Sequence, residues 1–365
     1  IAQCLVGSEM CIRDRYYIMC AEGGTGYNHS VTMGRSRNVW GPYEPDPNGP
    51  LVTSQPKESN ERADDDHLKP RYFNPDSVLQ KSGHGSYVDL PNGETYLVHL
   101  TSRPFVPELR CTLGRETAIQ KMQWTPDGWL RMADGSNLAK IEVEEPNLPD
   151  VPMPEIPSLD DFDGEELGNW YYSPRQMPST FANATERPGW LRVRGEESLA
   201  SLNRTSLLAR KLTSVYATVT TKMEFEPEVY QHSAGLTIYY DNMNNIFLRK
   251  YYSQTLGGSA ISIVRLENGE KMEMLDTRVA VEDKPIYFRL NIEGRRTWFE
   301  WGYDGENWTK IGPDFDTTTF SDEYCKYGEF TGTMVGIAVT DAALHEKTAD
   351  FDFFDYEADE TKPVD

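Results

Sequence analysis

"YYIMCAEGGTGYNHSVTMGRS", residues 16–36, decides how the chain is to be read. Two runs rich in aromatic and apolar residues, YYIMCAE and SVTMGRS, flank GGTGYN. Glycine and asparagine reach the left-handed backbone that a tight reversal needs, so the stretch predicts a β-hairpin. The signature recurs downstream. ETYLVHLTSR (94–103) follows the turn LPNG, with Tyr96, Val98 and Leu100 alternating against Leu97, His99 and Thr101. AIQKMQW, TPDG and WLRM (118–132) read as a further hairpin. Period-two alternation between turns marks an all-β chain. The charged run Lys57–Lys69 reads as a solvated loop.

At residues 144–158 the pattern stops. EEPNLPDVPMPEIPS carries Pro146, Pro149, Pro152, Pro154 and Pro157, which favour an extended, semi-rigid spacer. Beyond it, SVYATVTTKMEFEP, SAGLTIYYD, NIFLRKYY, PIYFRLNIEG, TWFEWGYDGENWTKI, TMVGIAVTD and ADFDFFDYE follow at regular spacing. Many short strands in series predict a β-sandwich or jelly roll. The expected division is therefore 16–143, a linker at 144–158, a sandwich at 159–357 and a tail at 358–365. Residues 1–15, IAQCLVGSEMCIRDR, show neither helical nor strand period, and the next residues open abruptly inside a strand. They are expected to be a non-native segment ahead of an N-terminally truncated frame.

Composition narrows the function. A formal net charge of -22 excludes the basic face of a nucleic-acid binder. No apolar run approaches the roughly 18 residues of a membrane helix. An acidic chain with 8 Trp and 20 Tyr suits a neutral carbohydrate, because aromatic faces pack on sugar rings while polar side chains read hydroxyls. The cysteines Cys4, Cys11, Cys20, Cys111 and Cys325 are odd in number and lack metal-ligand spacing, so reduced thiols and a cytoplasmic location are expected. Sequons at Asn28, Asn183, Asn203 and Asn307 matter only in a secreted chain.

Four pieces taken in order carry a resemblance: YYIMCAEGGTGYNHSVTMGRSRNVWGPYE, SGHGSYVDLPNGETYLVHLTSRP, LGRETAIQKMQW and GEFTGTMVGIAVTD. Together they resemble β-xylosidases of glycoside hydrolase family 43 that bear a C-terminal β-sandwich, from Tyr16 to about Tyr356. The resemblance implies a five-bladed β-propeller, here only its last blades, followed by a concanavalin-A-like sandwich. It implies inverting, exo-acting β-xylosidase or α-L-arabinofuranosidase activity on xylo-oligosaccharides, and the residues do not choose between the two sugars. Inversion takes an acid and a base with a water between them. The family's two aspartates match no position here, and its glutamate acid stands in a Thr-Glu-Gly-Pro turn. Glu9 stands in Ser-Glu-Met and does not inherit that role.

Three positions do match. His84 in SGHGS matches the histidine at the propeller centre, near the sugar or on a central water or divalent cation. Arg115 in LGRET matches the arginine facing the active centre, where a guanidinium fork that never deprotonates clamps a hydroxyl. Its neighbour Glu116 points the other way in an extended run and serves structure. Phe330 in GEFTG matches a sandwich phenylalanine that closes the pocket. Independently of the family, DDFDG and DFDFFD place Asp161, Asp163 and Asp352 near the two ends of the sandwich. Pairing of those end strands would give a Ca²⁺ site with oxygen ligands; plain solvated strand ends are the other reading. Glu22, before the Gly-Gly turn, reads as a turn or pocket-wall residue. The sandwich is expected to serve pocket closure and homo-oligomer contacts. The competing function is a non-catalytic carbohydrate-binding sandwich. Against a flat platform, Trp298 and Trp301 are three apart and face opposite sides of a regular strand, with Trp308 in the same hairpin.

Overall fold

The computed structural model describes residues 14–55, 73–326 and 331–364, together with the backbone of 6–12. The charged run Lys57–Lys69 and Phe330 lie outside the described residues. Among the described residues there is no α-helix, and no helix is long and apolar enough to cross a membrane. The chain divides into two compact units: residues 1–104 with 115–153, and residues 105–114 with 154–365.

The first unit holds two antiparallel meanders. One is β1 (Val6–Ile12), β2 (Arg15–Glu22), β3 (Ser30–Ser36) and β4 (Glu44–Pro45), with β5 (Val52–Thr53) also on β3. The other runs β6 (Gln80–Asp89), β7 (Thr95–Ser102), β8 (Glu116–Trp124) and β9 (Leu130–Met132). Tyr17 and Met19 of β2, Val31 and Met33 of β3, Leu97 of β7 and Met122 of β8 share one apolar cluster. The two-residue side-chain period puts Tyr17 with Met19 and Val31 with Met33 on the same side of their strands.

β1 corrects the sequence expectation. Residues 1–15 promised no element, yet Val6–Ile12 pairs with β2 from Val6↔Met19 to Ile12↔Arg15, through two register irregularities. Ladder hydrogen bonds come from backbone, so an extended segment can add to an edge without side-chain alternation.

The second unit is a two-sheet sandwich. Its larger sheet carries β10 (Leu159–Asp160), β11 (Ala182–Arg187), β12 (Trp190–Arg194), β14 (Tyr216–Glu224), β19 (Ile286–Glu293), β20 (Arg296–Gly302), β21 (Thr309–Asp316) and β23 (Thr348–Ala358). The smaller carries β13 (Ser206–Lys211), β15 (His232–Asp241), β16 (Asn244–Ser253), β17 (Gly258–Glu267), β18 (Glu270–Ala280) and β22 (Met334–Asp341). β14 alternates without a break, and its buried set Ala217, Val219 and Met223 joins Phe288, Leu290, Leu236, Ile337 and Phe351 in the core.

Residues 105–114 depart from the division drawn from sequence. They connect β7 to β8, both in the first unit, but belong to the second. The reason is apolar: Phe105 and Leu113 enter the sandwich core. Polar contacts fix the excursion. Glu108 takes both Nε and Nη2 of Arg295 at 3.0 Å, Arg110 donates to Thr318 at 2.9 Å, and Thr333 donates to the Thr112 carbonyl at 2.8 Å. Gly114 ends it at φ +72°, where a Cβ would stand 2.1 Å from the Thr331 carbonyl oxygen. Residues 144–157 carry no regular structure beyond a bend, as five prolines that cannot donate would leave them.

Candidate functional site

The site is built in the first unit from the β2–β3 hairpin, strand β6 and the head of β8. The hairpin closes at Glu22↔Ser30. Gly23 and Gly24 both have positive φ, and a Cβ on Gly23 would fall 1.9 Å from the Asn28 carbonyl oxygen. Only glycine permits that reversal. Gln55 donates to the same carbonyl. Glu22, Asn28, Thr32 and Gln55 line a cleft of about 450 Å³ beside the hairpin, which His29, His84 and Arg115 do not line.

Strand β6 is irregular where it carries His84. Its partners on β7 run Gln80↔Ser102, Gly83↔Leu100 and Ser86↔Val98. Each interval sets three residues against two, which makes two successive bulges. Lys81 at φ 55° and His84 at φ 54° are the left-handed residues inside them. A bulge re-aims a side chain, and non-glycine residues in this region mark strain held for a purpose. The flanking glycines have steric causes. A Cβ on Gly83 would lie 2.4 Å from the His29 ring, and one on Gly85 would lie 3.0 Å from Leu97 and Val31. His84 is thereby lifted into an exposed position, its ring 6.4 Å from that of His29 in an edge-to-face arrangement.

His29 is fully buried. Its Nδ1 lies 3.2 Å from the Lys81 carbonyl oxygen, which can only accept, so Nδ1 carries the proton. Burial pushes the ring pKa down to about 4; the Lys81 carbonyl opposes this, and His84, Arg115 and His99 push it lower. His29 is therefore a neutral imidazole at any ordinary pH. Sequence reasoning quoted this residue but did not single it out. The signal was weak: residues 29 and 84 meet only because β3 and β6 pack together, and no spacing encodes that.

Arg115 stands at the head of β8. Its Nη2 donates to the Thr25 carbonyl at 2.9 Å, and its Nε and Nη1 are closed to solvent. Glu116 turns the opposite way and takes Arg103 through both carboxylate oxygens, at 2.7 and 3.1 Å. The adjacent arginine and glutamate thus divide as the extended backbone predicts: one faces the hairpin, the other holds a neighbouring strand end. The structure brings His84 and Arg115 to the same hairpin, with His29 beside them.

Residues 10–130 match the family described as glycosyl hydrolases family 43, and residues 159–357 match the beta xylosidase C-terminal concanavalin A-like domain. The chain belongs to glycosyl hydrolase family 43. The family match takes in Met10–Arg15, which the sequence reading had set aside as non-native. Among relatives, a xylan 1,3-beta-xylosidase from Vibrio sp is 34% identical over 97% of this chain and 65% of its own length. A xylosidase/arabinosidase 43B from Humicola insolens is 36% identical over 93% of this chain and 61% of its own. Among structures, the xylan beta-1,4-xylosidase from Bacillus halodurans C-125 superposes with a TM-score of 0.86 at 41% identity, covering 95% of this chain and 64% of that one. The chain thus spans less than two thirds of the length of these family 43 relatives. Propeller plus concanavalin-A-like sandwich is the architecture to which these comparisons assign it.

The cation expectations fare differently. His84 stands with its ring 6.4 Å from that of the buried His29, and the Arg115 guanidinium lies near enough to His29 to push its pKa lower. The sandwich aspartates have partners within the protein. The end strands do pair, at Leu159↔Asp355 and Asp160↔Phe354. Asp352, however, is held by Lys222 Nζ at 2.8 Å, and Asp161 accepts from the Asp163 N–H at 3.2 Å. Among the described residues no group of three His, Cys, Asp or Glu is placed to hold a metal ion. Strand pairing set the backbones side by side, and a lysine on the adjacent strand β14 took the carboxylate.

The tryptophans divide as expected. Trp301 packs on the core, whereas Trp298 is on the outer side with the Arg296 guanidinium 4.2 Å from its ring, and Arg289 lies 3.7 Å over Trp308. Two of the three indoles thus already have a guanidinium on one face.

Proposed function

We propose that this chain is the sugar-holding part of an exo-acting glycoside hydrolase that removes terminal xylosyl or arabinofuranosyl units from xylo-oligosaccharides by an inverting mechanism. Arg115 carries the reading. Its guanidinium is planar and always charged, and the Thr25 carbonyl, accepting from Nη2 at 2.9 Å, fixes its direction toward the hairpin. Such a fork discriminates hydroxyl positions on a small ring. His84, lifted out of β6 between two glycines, supplies a second polar contact from the same sheet.

Hydrolysis itself needs an acid and a base carboxylate. The family's two aspartates match no position of this sequence, and Glu9, in Ser-Glu-Met, does not stand in the acid's Thr-Glu-Gly-Pro turn. The role assigned to this chain's residues is therefore to bind and orient the sugar. Calorimetry with xylose and with arabinose tests it. The expected result is measurable binding by the wild-type chain and its loss in Arg115→Ala, since a charged hydrogen bond in a dry pocket contributes about 2–4 kcal/mol. No release of nitrophenol from aryl xylosides is expected from the chain alone. Undiminished binding by Arg115→Ala, or turnover that survives repurification, overturns the assignment.

A further inference from the structure

His29 and His99 are both buried histidines of the first unit, and they are satisfied differently. His99 Nδ1 donates to the Leu100 carbonyl at 3.0 Å, and its Nε2 lies 3.2 Å from the Gln120 amide nitrogen, which donates to it. Both of its nitrogens are used. His29 Nδ1 is used in the same way on Lys81, but its Nε2 is buried with no hydrogen-bond partner among the protein groups. A buried lone pair left without any donor would cost about 1–3 kcal/mol, so this atom calls for a donor that the protein groups do not supply. The ring cannot swing away to find a partner, because the Gly83 backbone is packed against it.

The tautomer is set by Lys81, so Nε2 is a fixed acceptor. The nearest ring is that of His84, with centroids 6.4 Å apart. A direct N–H···N bond would bring two imidazole centroids to roughly 5 Å. The observed separation is too long for that and matches a bridge through one water, which buried polar sites commonly hold.

We propose that His29 is a positioning residue for His84: one water donates to His29 Nε2 and accepts the N–H of the His84 ring nitrogen nearer to it. That bridge fixes the tautomer of the exposed ring. The outer nitrogen of His84 is then a lone-pair acceptor, suited to a sugar hydroxyl and not to a carbonyl or an anion. The assignment of a hydroxyl rests on the function proposed above; the bridge itself does not. Gly83 is the steric condition for this arrangement, since any side chain there would displace the His29 ring.

The test is nitrogen NMR on the full chain labelled with ¹⁵N-histidine, wild type against His29→Gln and His29→Leu. Glutamine retains an acceptor, and leucine has none. In the wild type, His29 is expected as the Nδ1–H tautomer and His84 as a single tautomer with well-separated nitrogen shifts. In His29→Leu the His84 shifts converge toward those of a free imidazole, and in His29→Gln they stay apart. Xylose Kd rises about tenfold in His29→Leu and stays within about twofold of wild type in His29→Gln. A proton on His29 Nε2 in the wild type, or an unchanged His84 spectrum in a folded His29→Leu chain, overturns the proposal. Should His29→Leu fail to fold, an averaged His84 in the wild type or in His29→Gln overturns it equally. Absence of sugar binding with these spectra intact would instead overturn the glycosidase reading alone.

Discussion

Asp341 in the sandwich and His29 in the first unit are both buried polar side chains, and the fold treats them in opposite ways. The Asp341 carboxylate accepts four backbone N–H groups, from Ala343, Leu344, Glu346 and Lys347, at 2.8 to 3.0 Å. Its hydrogen-bonding capacity is filled by one loop, and that loop depends on it for its shape. His29 is locked just as firmly by Lys81 and Gly83, yet keeps a lone pair in reserve. Both are immobile, but only Asp341 is satisfied by protein groups alone. The filled group marks architecture, and the rigid group whose lone pair has no protein donor is the one to which the bridging water is assigned.

The largest effect that can test this contrast is at Asp341. Asp341→Asn sets an amide against backbone donors and is expected to cost about 3 kcal/mol in urea unfolding of the sandwich. Burial pushes the Asp341 carboxyl up, but the four N–H groups outweigh it and hold it well below the usual carboxylate range. A depressed carboxyl contributes stability above its unfolded value, near about 4, and loses it as pH falls through the folded value. The gap between wild type and Asp341→Asn is therefore full at neutral pH and closes in acid. A gap independent of pH would break the contrast.

Gly83→Ala comes next. Its Cβ would overlap the His29 ring, and overpacking of this kind costs about 1–3 kcal/mol. In a His29→Ala background the same substitution should be nearly neutral. A double-mutant cycle with coupling below about 0.5 kcal/mol would show that Gly83 is not what holds the ring.

Glu116→Ala breaks the half-buried pair with Arg103 and is expected to cost about 1 kcal/mol of stability, with sugar binding unchanged. Loss of binding comparable to that of Arg115→Ala would erase the division of roles between the two neighbours. The smallest effect is at Asp352→Asn. Its Lys222 partner is part-exposed, so the change stays within about 0.5 kcal/mol, and calcium shifts the Tm of neither form.

What could be read without coordinates was what repeats. Alternation along SVYATVTTKMEFEP became β14, with every second residue buried. The opposed sides of Trp298 and Trp301, and of Arg115 and Glu116, followed from the same period of two. What could not be read was what breaks the period. Two bulges in seven residues move His84 out of register, and nothing in SGHGS says which glycine faces a histidine ring fifty residues earlier. The partner of Asp352 was hidden for a related reason. Spacing brought the end strands together but did not show that Lys222, on a third strand, would reach Asp352 first. The excursion at 105–114 was missed because PFVPELRCTL reads as an ordinary loop, and only the destination of Phe105 and Leu113 reveals it.

That excursion bears on inheritance. A sandwich joined through one proline-rich tether would be a portable cassette, free to be cut out and attached to another enzyme. Here the chain passes between its two units three times, after Pro104, Gly114 and Met153. A gene segment beginning at Pro154 would leave behind Phe105, Leu113 and the partner of Arg295, and would encode a sandwich with a hole in its core. Recombination at the tether destroys both products, so the two units descend as one heritable object, and the residue following the excursion, Arg115, travels with them.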